Sequence, residues 1–354
     1  VPANLQHVSF LTCLESGEYI MIECRCQSAP SDTSITLIAS VLVLTLAAMT
    51  IQQDAQPQIA FVSARDGDIN IYVMDEDGKN VVQLTDHPQV DATPAWSPDG
   101  RRIAFSSLRD EPPNTHGNSE IYIMDADGGN PTRLTQEPNS VDTHPSWSPY
   151  GNQITFASNR HGTGDIHVMN DDGGNLRRIT LDDTNRSPYD WAPAWSPDGR
   201  FIAFESSRGG RGSGLWLMSP DGTNPVKLVN PPGHDTTPTW SPDGKQIAFA
   251  SRDGKNGTWE IYRTGADGGG LKKLTTNLAN DQWPAWSPSG EQIAFNSDRD
   301  GDHDIYTMNP DGEEIVKITD HAADDFAPSW FPSALAVSER EKLPTQWAII
   351  KSKR

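Results

Sequence analysis

The sequence predicts an all-β fold, a six-bladed β-propeller of four-stranded blades whose ring is closed by a C-terminal inner strand joining three N-terminal strands. Three observations carry that reading. The phrase Asp91-Ala-Thr-Pro-Ala-Trp-Ser-Pro-Asp-Gly100 returns at 142–151, 190–199, 235–244, 281–290 and, degraded, at 325–333. Its tryptophans, Trp96, Trp147, Trp195, Trp240, Trp286 and Trp330, are separated by 51, 48, 45, 46 and 44 residues, and a period in the forties made of short strands and turns marks a propeller. Finally, strand-like runs precede the first copy of the phrase and none clearly follows the last.

Each repeat resolves into four strands. Pro94-Ala-Trp-Ser97 is an extended run, because the residue before a proline is pushed away from helix and the proline bars helix continuation. Pro98-Asp-Gly100 is a tight turn, with φ preset by proline and a positive φ accepted by glycine. Residues 102–107 alternate apolar and small side chains as a second strand, and Glu120-Ile-Tyr-Ile-Met124 forms a third. Asp127-Gly128 is a hairpin turn leading into Thr132-Arg-Leu-Thr135, the fourth. The second, third and fourth strands occur first at Ile59-Ala-Phe-Val62, Ile71-Tyr-Val-Met74 and Val82-Gln-Leu-Thr85, before any tryptophan phrase. The two ends therefore complete one blade, which removes the sheet edges that would template aggregation.

A chain of 354 residues with a net charge of −20 suits one large acidic domain; the charge argues against nucleic acid and anionic membranes and favours cationic partners or metal ions. A monomer is expected. Residues 35–51 carry no charge over 17 positions and read as a signal-peptide core or an uncleaved anchor. The expected organisation is an unassigned extension over 1–34, signal or anchor and linker over 35–56, the propeller over 57–332 and a tail over 333–354. That order implies a periplasmic or secreted protein touching a membrane only through its N-terminal hydrophobic segment. Cys13, Cys24 and Cys26 all precede that segment, so the propeller has neither disulfide nor thiol chemistry, and no cysteine follows the run to accept a lipid.

The whole phrase Asp-x-x-Pro-x-Trp-Ser-Pro-Asp-Gly-x-x-Ile-Ala-Phe-x-Ser, followed by Asp/Glu-Ile-Tyr-x-Met-x-x-Asp-Gly, resembles the WD-repeat-like (PD40) propeller repeats of the TolB family over residues 57–332. The resemblance implies a six-bladed propeller, commonly periplasmic, that binds proteins at its channel mouth. TolB also carries an N-terminal α/β domain that 56 residues cannot supply, so its partner contacts are not carried over. The blades resemble the propellers of prolyl-oligopeptidase-like enzymes too, but no Gly-x-Ser-x-Gly elbow accompanies them; Arg211-Gly-Ser-Gly214 has the wrong spacing.

The most regular polar feature is the aspartate five residues before each tryptophan: Asp91, Asp142, Asp190, Asp235, Asp281 and Asp325. Placed in the loop entering each inner strand, six carboxylates should gather at one rim of the channel, where they would hold a hard cation such as Ca²⁺ or form a negative funnel for a basic partner segment. Ca²⁺ in the central channel is the one cofactor this pattern suggests. An arginine also recurs after each second strand, at Arg65, Arg109, Arg160, Arg208, Arg252 and Arg299, on the same rim; Asp–Arg pairing would explain the repeat with no ligand. The tryptophans are expected to be structural. Specificity belongs where repeats differ, which singles out His144, Tyr189, Trp191, Trp283 and Phe326 as partner-binding candidates, with the unequal loops at 111–117, 209–213 and 255–259. A protein partner at that rim, without catalysis, is the leading function. A metal-dependent propeller lyase or hydrolase would require an asymmetric His/Glu/Asp cluster, and a lectin-like module would require matching aromatics in several blades; Trp191 and Trp283 stand one position apart in their repeats.

Overall fold

The computed structural model describes residues 6–13, 19–26, 58–110, 117–181, 188–209, 212–229, 233–254 and 257–332. The chain divides into two compact units, Val1–Ala55 and Gln56–Arg354. In the first, β1 (Gln6–Cys13) and β2 (Tyr19–Cys26) form an antiparallel hairpin with Gln6 opposite Cys26, a stretch to which the sequence alone assigns no structure. The hydrophobic run at 35–51 and the tail from 333 lie outside the described residues. Among the described residues, no helix is long and apolar enough to cross a membrane.

The second unit contains six four-stranded antiparallel sheets. It opens with β3 (Gln58–Ser63), β4 (Asn70–Asp75) and β5 (Val82–Gln83). Blade one follows as β6 (Asp91–Trp96), β7 (Arg102–Ser107), β8 (Glu120–Asp125) and β9 (Thr132–Arg133), and blade two as β10 (Asp142–Trp147), β11 (Gln153–Ser158), β12 (Asp165–Asn170) and β13 (Arg177–Arg178). Blade three is β14 (Asp190–Trp195), β15 (Ile202–Ser206), β16 (Gly214–Met218) and β17 (Val226–Lys227). Blade four is β18 (Gly233–Trp240), β19 (Gln246–Asp253), β20 (Trp259–Gly265) and β21 (Lys272–Lys273). Blade five is β22 (Asp281–Trp286), β23 (Ile293–Ser297), β24 (Asp304–Met308) and β25 (Val316–Lys317). The last strand, β26 (Asp325–Trp330), pairs with β3, setting Trp330 opposite Ile59 and completing blade six in the order β26-β3-β4-β5.

Burial explains why the second strands read as nearly continuous apolar runs. Each blade packs a neighbour on both faces, so both faces of β3 or β7 are core: Ile59, Ala60, Phe61 and Val62 have no exposed surface, nor do Ile103, Ala104 and Phe105. Six equivalent phenylalanines, Phe61, Phe105, Phe156, Phe204, Phe249 and Phe295, are fully buried, each contributing about 1.5–3 kcal/mol by removal from water. Hydrophobic clusters combine side chains from adjacent blades; Leu217 of blade three, for example, packs with Trp240 and Phe249 of blade four. Trp147, Trp240 and Trp330 also donate their indole N–H to the carbonyls of Ala95, Ala194 and Ala285 in the preceding blades, each at 3.1 Å. On the outer side, Asp-Gly turns press against the neighbouring fourth-strand region: a Cβ on Gly78 would sit 1.8 Å from the Ile318 carbonyl oxygen, so only glycine fits.

The inner strands depart from the sequence reading at one position. The residue before each recurring proline, Thr93, His144, Ala192, Thr237, Trp283 or Ala327, is left-handed, with φ between 46° and 55°, rather than extended. A register shift accompanies it in every inner strand. Proline disfavours the right-handed helical basin for its predecessor but leaves the left-handed one open, and the bulge spends that freedom on re-aiming one side chain per blade into the channel.

Candidate functional site at the channel mouth

Five of the six recurring aspartates are paired with the recurring arginines. Arg65 reaches Asp325 at 2.9 Å, Arg109 reaches Asp91 at 2.8 Å and Arg299 reaches Asp281 at 3.0 Å; Arg160–Asp142 and Arg208–Asp190 pair in the same way. In each case the arginine Nε also donates to the serine two residues earlier, as Arg65 does to Ser63 at 2.9 Å and Arg109 to Ser107 at 3.0 Å. The guanidinium lies over core rings as well, Arg109 over Phe105 and Tyr122 at 5.1 and 5.0 Å. All six aspartates are at most 2% exposed, and none lines the channel. Burial nevertheless outweighs the arginine for Asp142 and Asp190, whose carboxyls are pushed above the ordinary range. Among the described residues, no three His, Cys, Asp or Glu side chains converge into a metal-binding set.

Blade four breaks the pattern. Five blades read Ser-x-Arg at this corner, from Ser63-Ala-Arg65 to Ser297-Asp-Arg299, whereas blade four reads Ser251-Arg252, one residue short. Side chains alternate across a strand, so losing one residue turns the arginine to the other face. Strand β19 runs on to Asp253 and sets Arg252 opposite both His234 and Trp259. Its guanidinium lies 4.8 Å over the Trp259 ring, and its Nε is buried without a hydrogen-bond partner. The Asp235 carboxyl accepts from Ser251 Oγ at 2.7 Å, and its second oxygen has no partner within hydrogen-bond distance. Burial without a guanidinium pushes its carboxyl up to about 7.

The channel encloses about 370 Å³, walled by the inner strands. At the aspartate rim, His144 of blade two and Trp283 of blade five, three blades apart, stack across it with centroids 5.1 Å apart and planes 8° from parallel. His144 is half-buried, and burial lowers its pKa to about 4, so the imidazole in the stack is neutral at pH 7. Trp191 meets His144 edge-on at 6.0 Å. Beside this stack lies a second cavity of about 380 Å³, lined by Tyr189, Trp191 and Glu205 of blade three, His234, Thr236, Arg252 and Trp259 of blade four, and Gln282 and Trp283 of blade five. Glu205 is buried, accepts from Thr236 Oγ1 at 2.6 Å and from Tyr189 Oη at 3.1 Å, and is pushed above the usual carboxylate range by burial.

Four of the five partner-binding candidates therefore converge: His144, Tyr189, Trp191 and Trp283 all line this rim pocket. Phe326 does not; it sits half-buried in blade six, opposite Val62. The expected rim arginines meet the aspartates except at Arg252. Sequence reasoning missed Glu205, whose counterparts Val62, Ser106, Ala157, Ala250 and Asn296 share no signal, and it passed over His234, Thr236 and Gln282, which occupy the same repeat positions as Tyr189 and Trp191. It also missed the pocket role of Arg252, whose one-residue shift was visible as Ser-Arg against Ser-x-Arg. Of the unequal loops, 111–116, 210–211 and 255–256 lie outside the described residues.

Comparison with known proteins agrees with the repeat and the ring. The family model for the TolB beta propeller domain matches residues 112–191 and 184–282. The propeller belongs to the TolB-type β-propeller family. The Protein TolB homolog of Chlorobaculum tepidum is 46% identical over 59 residues, 17% of this chain and 14% of that protein. The Tol-Pal system protein TolB of Desulfosudis oleivorans is 36% identical over 61 residues, again 17% of this chain and 14% of the relative. The matched stretches thus span a small part of each relative's length. TolB from Acinetobacter baumannii superposes with a TM-score of 0.68 over 90% of this chain and 77% of that one at 20% identity, a likeness of fold. The TolB-type ring accounts for the repeated aspartates, arginines and tryptophans; the rim pocket lies where this chain departs from its own repeat.

Proposed function

We propose that this chain is a non-catalytic binding propeller of the cell envelope, periplasmic or secreted, that engages a segment of a protein partner at the aromatic rim pocket beside its channel mouth. One observation carries the reading: the residues in which the repeats differ, His144, Tyr189, Trp191, Trp259 and Trp283, come from four blades and meet around a single cavity. A symmetric ring offers six equal corners, whereas this pocket draws unlike residues from four blades, and clustered tryptophan and tyrosine in a partly enclosed cavity is the composition of binding hot spots. Relatives bearing the name Tol-Pal system protein favour a binding role in the envelope over an enzymatic one.

Photo-crosslinking in the native cell tests it. A benzoylphenylalanine in place of Tyr189 at the pocket should give a discrete adduct with one partner. The same residue in place of Tyr150, 73% exposed on the opposite rim, should give none. Absence of an adduct at Tyr189, or equal adducts from both rims, would overturn the proposal.

A further inference from the structure

Arg252 is the rim arginine that this fold does not spend on itself. The other five are each held by a buried aspartate and a serine, so their charge is cancelled inside the corner. Among the described residues, no carboxylate pairs with Arg252. It is instead held over the Trp259 ring at the wall of the rim pocket, with a buried Nε that finds no acceptor. A buried donor left unpaired costs stability unless something completes it, and a guanidinium fixed on an aromatic ring is pre-organised for a planar, two-oxygen acceptor.

The rest of the pocket narrows what that acceptor is. Glu205 already accepts hydroxyl hydrogens from Thr236 and Tyr189, and its presence opposite one guanidinium disfavours a dianion such as a phosphate monoester. A single-charged, flat group matches one guanidinium and can accept two parallel N–H bonds from it. Around it, Tyr189, Trp191, Trp259 and Trp283 supply aromatic faces for an apolar body next to the charge.

We infer that the rim pocket is a carboxylate site in which Arg252 binds the carboxylate of a peptide segment whose neighbouring apolar side chain packs on Trp191, Trp259 and Trp283. The inference rests on the binding reading of this rim and supplies its chemistry. Two sources carry the same group, a chain-terminal α-carboxylate and an acidic side chain within a chain.

Titration of the full chain, followed by intrinsic tryptophan fluorescence, separates them with three probes. N-acetyl-phenylalanine offers the α-carboxylate, N-acetyl-aspartyl-phenylalanine amide offers the side-chain carboxylate, and N-acetyl-phenylalanine amide offers neither. At least one carboxylate probe should bind, the neutral amide should bind about tenfold more weakly or worse, and Arg252→Gln should abolish that difference while keeping the melting temperature. Insertion of one alanine between Ser251 and Arg252 restores the Ser-x-Arg spacing and should also abolish binding while stabilising the fold, so that loss of binding is not loss of structure. Equal binding of all three probes, no binding by either carboxylate, or unchanged binding by Arg252→Gln would overturn the carboxylate site. If crosslinking at Tyr189 succeeds while no carboxylate binds, the pocket chemistry is wrong and the partner reading stands; the reverse pattern rejects the protein partner and keeps the site.

Discussion

Blades one and four meet the same rim corner with opposite outcomes. In blade one, Arg109 folds inward, gives one nitrogen to Ser107 and another to Asp91, and covers the core rings behind it. In blade four, one missing residue sends Arg252 outward onto Trp259 and leaves Asp235 buried with a serine but no guanidinium. The chemistry available is the same in both: one aspartate, one serine and one arginine. Strand parity alone decides whether the arginine stabilises the ring or is offered to a ligand. On the proposed reading, a binding pocket is gained by subtracting a residue from an otherwise self-satisfied corner.

The sharpest way to break this comparison is to remove each arginine in turn. Arg109→Met leaves the Asp91 carboxylate buried and unpaired, and loss of one partner of a buried pair costs about 3–5 kcal/mol. Arg252→Met loses only a contact with an indole ring, about 0.5–1 kcal/mol. Denaturant unfolding at pH 7 measures both, and equal losses would mean that the two corners are energetically alike.

Asp235 gives the next effect. Its folded pKa of about 7 lies above the ordinary 3.8, so the folded state holds a proton that the unfolded chain releases. Its stabilising contribution is therefore present below about pH 4, declines as pH rises through the interval to about 7, and is absent above it. Asp235→Asn removes that slope and should stabilise the protein at pH 8 by roughly 1–3 kcal/mol, with little change at pH 4. An Asp91→Asn variant should do the opposite at pH 8, because it discards a paired carboxylate.

Smaller effects concern the channel mouth and the cation. Trp283→Ala opens the stack over His144, and the imidazole pKa, now about 4, should move up toward 6.5 as water reaches it; a proton NMR titration of the ring reads this directly. Ca²⁺ added after chelation should leave the melting temperature unchanged, since the guanidiniums already supply the counter-charge at five corners. A concentration-dependent rise would show that the aspartate ring binds a cation.

Ring closure was legible because its signals are local: Trp-Ser-Pro-Asp-Gly sets a turn wherever it stands, and the surplus strands at Ile59, Ile71 and Val82 require a partner from the other end. The aspartate and arginine series were legible as series, and their pairing followed from strand direction. Three things were less so. A left-handed residue before proline has no composition mark, since threonine, histidine, alanine and tryptophan all occupy it. The pocket depends on side chains that neighbour one another only across blades, such as Glu205 and Thr236, 31 positions apart. Phe326 shows the limit from the other side: an aromatic in a variable position that falls in blade six, away from the other candidates.

The carboxyl titration of Asp235, followed by carbon-13 NMR in the full chain and in the variant with one alanine inserted between Ser251 and Arg252, tests the central claim most directly. The account predicts a midpoint near 7 in the natural chain, and a clear fall in the variant as the realigned arginine reaches the carboxylate. A natural midpoint near 3.8, or one that the insertion leaves unmoved, would contradict it.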